Sequence, residues 1–201
     1  MKRIVVATLS AVLVLSTLVA QQAPAAAADN PVVVENQQAG STGWQINPRM
    51  IADDATGQIK GYASLTSVSP GQSITFYVTV NPAQTYSIDV YRIGWYSGMG
   101  GRLRLHVSGQ NGIQQSACTP NATTGLIACG WTPSYTFTVP ADWTSGIYYT
   151  LLTNAAGYQN SIIFAVKDGR PAAFVYQQAV NTYQAYNNYP DDHVNGKSLY
   201  S

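Results

Sequence analysis

Ile74-Thr75-Phe76-Tyr77-Val78-Thr79-Val80 and Tyr86-Ser87-Ile88-Asp89-Val90-Tyr91-Arg92 carry the pattern that decides the fold. Apolar and hydroxyl-bearing or charged residues alternate with a period of two, and β-branched and aromatic side chains dominate, which is the signature of half-buried strands. Asn81-Pro82 lies between the two stretches as a turn. Working outward, Tyr135 to Val139 and Ile147 to Leu152 repeat the alternation, and Val32 to Glu35, Gly61 to Ser64, Arg102 to Val107 and Ser161 to Val166 are further candidate strands. Ser69-Pro70-Gly71, Gly98 to Gly101, Ser108 to Gly112, Pro140-Ala141-Asp142 and Asn154 to Gly157 punctuate them. No stretch of a dozen residues carries helical periodicity. Roughly seven to nine short strands predict a mainly β chain, an antiparallel sandwich of immunoglobulin type over residues 29–170.

Of the 201 residues only 9% are charged, 10 Lys+Arg against 9 Asp+Glu, whereas an ordinary soluble domain carries roughly 25%. A balance this close to neutral offers no field for a phosphate backbone, so nucleic acid is not expected as a partner. Thr and Ser at outward strand positions account for the deficit, because hydroxyls can solvate a sheet face. Glu35 is the only glutamate. Chemistry that needs paired glutamates cannot be completed within these residues.

Met1-Lys2-Arg3, the apolar run Ile4 to Ala20 and the small residues Ala23 to Ala28 form the pattern of a secretory signal peptide, residues 1–28. The expectation is a secreted, extracellular protein with no stable membrane span after cleavage. In an oxidising compartment Cys118 and Cys129 are expected to pair as a disulfide; no Cys-x-x-Cys spacing or nearby histidine supports a metal or catalytic role for them.

Composition shifts after Val166. Lys167-Asp168-Gly169-Arg170-Pro171 is a charged turn, and Ala172 to Gln177 reads as the first strand of a second unit, residues 171–201. Thirty-one residues without cysteines cannot bury a core of their own. The segment is therefore expected to be the opening strand and loop of a larger domain whose remainder is absent.

A family resemblance becomes specific at three places: Ile88 to Arg102 with its Ile93-Gly94-Trp95-Tyr96-Ser97-Gly98 centre, Pro140-Ala141-Asp142-Trp143-Thr144-Ser145-Gly146-Ile147-Tyr148, and Thr182 to Tyr189 followed by Gly196-Lys197-Ser198-Leu199-Tyr200. Together they resemble secreted proteins related to the large (beta) subunit of N,N-dimethylformamidase. The resemblance implies an immunoglobulin-like domain ahead of an α/β catalytic domain similar to glutamine amidotransferases, of which residues 171–201 would be the truncated opening strand and loop, and a mononuclear iron held by two tyrosines and a glutamate. It makes Tyr186 and Tyr200 the candidate catalytic residues and iron ligands, supported by Asn187 or Ser198. With Glu35 far away in sequence, the carboxylate ligand is not supplied. The expectation is no cofactor in this chain, iron in a full-length parent, and the remainder of its own catalytic domain as the partner.

Other constellations read less sharply. Asp191-Asp192-His193 reads as a solvated turn more readily than as a metal run, and His106 as a satisfied strand residue. No Gly-x-Ser-x-Gly elbow supports a serine hydrolase. The glycines at 94, 98, 100 and 101 precede another strand, which favours a hairpin with positive-φ positions over a phosphate cradle. Trp95 and Tyr96 are candidates for a carbohydrate-stacking platform or for packing against a neighbouring domain. The residues thus leave three readings open: the N-terminal portion of an exported amidohydrolase-like protein whose sandwich positions the catalytic domain, a stand-alone module binding a glycan or surface partner through Trp95, Tyr96 or Trp131, and a structural spacer.

Overall fold

The computed structural model describes residues 30–192 and 194–200. The signal-peptide pattern of residues 1–28 lies outside them, as does His193.

Eight strands are formed among the described residues: β1 Lys60–Ala63, β2 Ser67–Val68, β3 Ser73–Thr79, β4 Thr85–Ile93, β5 Gly101–Asn111, β6 Tyr135–Thr138, β7 Gly146–Asn154 and β8 Gln159–Val166. The chain is mainly β, as the alternation predicts. One sheet has the order β1-β3-β6 and the other β2-β8-β7-β4-β5. All pairings are antiparallel except β2 with β8, where Ser67 and Val68 run parallel to Ala165 and Val166. The expectation of a purely antiparallel arrangement is corrected there: the five-stranded sheet is mixed, because β2 reaches its edge from the other sheet instead of by a hairpin.

The two sheets share one core. Ile74, Phe76 and Val78 of β3 and Ile88 and Val90 of β4 are buried at every second position, so the period-two pattern becomes two inward faces. Phe76 meets Phe137 at 5.6 Å and Phe164 of the facing sheet at 5.9 Å. Trp143 stacks on Tyr148 at 4.5 Å with 5° between the planes, and Tyr148 continues to Phe164 at 5.6 Å. Offset aromatic contacts of this kind add to area burial, and they tie the β6–β7 connection to both sheets. On the outside, Ser73 Oγ and Thr138 Oγ1 lie 3.1 Å apart and Thr75 Oγ1 and Thr136 Oγ1 2.8 Å apart across β3 and β6. These hydroxyl pairs are how so uncharged a sheet presents a polar face.

Two expected strands are absent. Val32 to Glu35 lies in a helix, α1 Pro31–Asn36. The Asn30 side chain accepts from the Val32 amide at 2.9 Å, and Pro31 occupies the first turn, so the cap overrides the β-branched run. Residues 172–177 form no strand. Among the described residues after them the regular element is a second helix, α2 Val180–Tyr186, and Phe174 and Val175 are 91% and 93% exposed.

Between β5 and β6 the chain is irregular and crosslinked. Cys118 and Cys129 form a disulfide with Cα atoms 4.9 Å apart. Within the loop the Gln115 amide accepts from Thr132 N and donates to Thr132 O and Trp131 Nε1 donates to Ser116 O at 2.9 Å, while the Gln115 backbone N–H pins the loop to β3 by donating to Thr79 Oγ1 at 3.0 Å. Closing so small a loop restricts the unfolded chain by about 2–3 kcal/mol. Replacing both cysteines by serine is expected to lower unfolding stability by about that amount while leaving one cooperative transition, measured as the urea midpoint at unchanged slope.

Candidate functional site

The Glu35 carboxylate faces three arginines. Period-two geometry puts Arg102 and Arg104 on the same face of β5, and the register sets Arg92 of β4 directly opposite Arg102. Three like charges on one face repel unless an anion lies among them. Glu35 supplies it: Oε2 accepts from Arg102 Nη1 at 2.7 Å and lies 3.2 Å from Arg104 Nη1. Its other oxygen accepts from the Tyr96 hydroxyl at 2.9 Å, and that hydroxyl accepts from Arg92 Nη1 at 3.0 Å. Arg104 is further held by Asp142 Oδ2 at 2.7 Å and lies over the Trp143 ring at 5.7 Å. Arg92 Nη2 donates to the Ser145 carbonyl at 2.8 Å. Arg104 Nη1 is within ion-pair range of Glu35 but out of hydrogen-bond alignment, and Arg92 Nε has no protein partner. Glycine is required at 146, where φ is +157° and a Cβ would come within 3.0 Å of Arg92 Nε.

The cluster fixes an unusual turn. Tyr96 and Ser97 have φ of +42° and +55°, rare for side-chain-bearing residues. Tyr96 is held in that conformation because its ring is fully buried and its hydroxyl is bonded on both sides. Asn36 Oδ1, at the end of α1, accepts from the Trp95 amide at 2.5 Å. The result displays Trp95, 71% exposed, at the tip of the β4–β5 connection. Trp95 and Tyr96 therefore do not form one platform; only Trp95 is on the surface. The positive φ of Gly98 and Gly100 agrees with a hairpin and not a phosphate cradle.

Burial raises the pKa of Tyr96, partly offset by Arg92, and raises that of Tyr148 much further, with Arg104 and Arg92 again pulling back. Asp168 is held well below the usual carboxylate range by Arg170 and by the Ser145 amide. His106 pairs with Asp89 at 2.5 Å on the outer part of β4 and β5, a strand residue with a partner.

The structure brings Tyr186 and Tyr200 together. Leu199 N donates to Ala185 O at 2.9 Å, folding the Gly196 to Tyr200 segment back on the end of α2. The two rings stack at 4.5 Å and 20°, and both are exposed. A two-tyrosine, one-glutamate iron site is nevertheless not assembled among the described residues. Glu35, the only glutamate, is buried and already engaged by two guanidiniums and a hydroxyl. Asp192 is taken up by the amides of Val194, Asn195 and Gly196. No group of three His, Cys, Asp or Glu among the described residues is placed to hold a metal. Glu35 is also not on a strand, as its sequence suggests, but on α1.

A second feature lies between β1, the disulfide loop and α2: a cleft of about 430 Å³ lined by Tyr62, Trp131, Tyr189, Lys60, Gln184 and Asn187 among others. Trp131 is 7% exposed and meets Tyr62 at 5.3 Å and the edge of Tyr189 at 6.3 Å. Sequence reasoning singled out Trp131 but not its companions, which are brought to it from β1 and from beyond α2. The arginine cluster was also missed, although Arg102-Leu103-Arg104 in a strand of so uncharged a chain is a usable signal.

The fold and its site define a mainly β protein with an appended helical segment. The model of the family described as N,N-dimethylformamidase beta subunit-like, C-terminal, matches residues 87–201. The chain belongs to that family. The match begins inside β4, includes Arg92, Tyr96, Arg102, Arg104 and Asp142, and runs across the turn at 167–171 to the Tyr200 motif. No curated protein matches the chain. Solved structures are similar only in part. A superoxide reductase (neelaredoxin) from Ignicoccus hospitalis has 13% identity over 55% of this chain and 80% of its own, at a TM-score of 0.29. An uncharacterised protein from Bacillus anthracis has 8% over 59% and 86%, at 0.30. A β-glucosidase from Listeria innocua has 11% over 54% and 16%, at 0.27.

Glu35→Ala leaves Arg102 without its carboxylate and Arg104 with Asp142 alone, and is expected to cost about 2–4 kcal/mol, read as a lowered urea midpoint. At high pH the buried tyrosines act in the opposite sense from carboxylates. Their raised folded pKa values make the protonated form the stable one, so their contribution is complete below about pH 10 and is lost as pH rises further. Tyr148→Phe keeps the ring in the core and is expected to shift alkaline unfolding to higher pH, followed by circular dichroism.

Proposed function

We propose that the chain serves an exported, amide-hydrolysing protein, with the β unit of residues 29–170 as an immunoglobulin-like accessory and positioning domain and residues 171–201 as the opening of the catalytic region. The observation that carries this is the family match over residues 87–201. Two sheets around one core support the immunoglobulin-like reading. The Cys118–Cys129 disulfide and the pattern of residues 1–28 support export. The partner of the β unit in this reading is the rest of a catalytic domain. Its docking would cover Phe174 and Val175, apolar side chains that lie almost fully in solvent. Tyr186 and Tyr200 are the iron candidates of that domain. The carboxylate has to come from residues other than Glu35.

By itself the chain is then inactive. The purified protein, supplied with ferrous or ferric iron, is expected to bind less than one iron per chain and to release no dimethylamine from N,N-dimethylformamide. One iron per chain with amide turnover would overturn the accessory reading. Removing residues 171–201 is expected to leave a single cooperative melting transition, lowered by about 1 kcal/mol through loss of the Tyr189–Trp131 contact.

A second reading, a module for a glycan or surface partner, is favoured by the exposed Trp95 held out on its buttressed turn. Trp95→Ala is expected to abolish binding on a glycan array in that reading, at unchanged stability.

A further inference from the structure

We infer that the cleft between β1, the Cys118–Cys129 loop and the end of α2 is a binding site for a neutral pyranose ring of a glycan. The inference rests on the binding-module reading and moves its site from the Trp95 tip to the cleft.

Three aromatic side chains, Tyr62, Trp131 and Tyr189, arrive from β1, from the disulfide loop and from beyond α2 to line one cleft of about 430 Å³. That is within the range of roughly 300–1,000 Å³ typical of small-ligand sites. Tyr62 is packed between Tyr77 at 4.9 Å and Trp131 at 5.3 Å, and Trp131 is itself buried and meets Tyr189 edge to face at 6.3 Å, so the half-buried Tyr189 is the ring left to border the cleft, braced by the other two. A pyranose ring suits one such braced ring: its axial C–H face packs on the aromatic surface while its equatorial hydroxyls point outward to polar partners.

The polar partners are present and uncharged. The Asn187 side-chain oxygen accepts from the Tyr189 amide at 3.1 Å, which orients its Nδ2 donor for another partner. Gln184, exposed on the last turn of α2, lines the same cleft with a second carboxamide. Amides donate and accept, as a diol requires. Lys60, the one cation lining the cleft, is taken by Asp54 at 2.7 Å and lies 5.4 Å from the Tyr189 ring centre. With its charge matched, the cleft offers little to a phosphate or uronate. A nucleotide is therefore disfavoured, since aromatic stacking sites for nucleic acid work together with a cationic groove. The disulfide gives the site its rigidity: Ile127, Ala128 and Cys129 form one wall, and the Cys129 carbonyl accepts from the Tyr62 hydroxyl at 2.7 Å.

The test is titration of the full chain with neutral hexaoses of glucose, xylose, mannose and N-acetylglucosamine, read by tryptophan fluorescence and ligand-observed NMR, with a hexagalacturonate as the anionic comparison. At least one neutral hexaose is expected to saturate. Tyr189→Ala is expected to weaken it about tenfold and Gln184→Ala by several-fold, whereas Thr136→Ala, exposed on β6 away from the cleft, binds as the unaltered chain does. Urea midpoints of all variants separate lost binding from lost fold. Binding that survives Tyr189→Ala and Gln184→Ala but disappears with Trp95→Ala overturns the cleft and leaves the module reading standing. Failure of every neutral hexaose, or preference for the anionic one, overturns the cleft assignment.

Discussion

The ion pairing of Glu35 with Arg102 and Arg104 of β5, relayed to Arg92 of β4 through the Tyr96 hydroxyl, is the interaction on which the arrangement of this molecule turns. Arg92 and Arg102 are cross-strand neighbours, and Arg104 lies two residues further along the same face. Without an anion among them, the edge of the five-stranded sheet would carry three guanidiniums in partly desolvated positions. The glutamate comes from a six-residue helix that has almost no other purchase on the core: Val32, Val33 and Val34 are all exposed. The same carboxylate reaches Tyr96 and so fixes a turn with two side-chain-bearing residues at positive φ. A buried network of this kind is a weak source of net stability but a strong source of specificity. Here it specifies how the N-terminal segment, the β4–β5 tip and the β6–β7 connection meet.

That role bears directly on function. A carboxylate saturated by two arginines and a tyrosine is unavailable as a metal ligand, so the only glutamate of the chain is a structural group. Tyr186 and Tyr200 lie apart from it, their stacked rings exposed at the end of α2. The β unit contributes a scaffold, an outward tryptophan and, with the segment around α2, a cleft lined by aromatic side chains.

The alternating segments 74–80 and 86–92 announced their strands plainly, because a half-buried sheet demands a period of two and nothing else in the chain competes with it. The disulfide was legible for the same kind of reason: two cysteines close in sequence, in a loop-forming stretch, leave little choice. Val32 to Glu35 misled because β-branched residues outweighed the Asn30-Pro31 cap, which was visible and carried the truer signal. Residues 172–177 misled because strand-like composition has no effect without a neighbouring strand to pair with. The cleft escaped notice because Tyr62, Trp131 and Tyr189 are separated by most of the chain.

Composition and periodicity by themselves determined the mainly β character, the hydroxyl-rich outer faces and the isolation of a single glutamate, since each depends on local preference or on a count. Tertiary structure alone decided that β2 pairs in parallel with β8, that Glu35 enters a charge network instead of a strand, that Tyr96 turns inward while Trp95 turns out, and that three distant aromatic residues share a cleft. These depend on contacts between residues remote in sequence, and such contacts are set by how two sheets close on one core and by where an unpaired charge can find its partner.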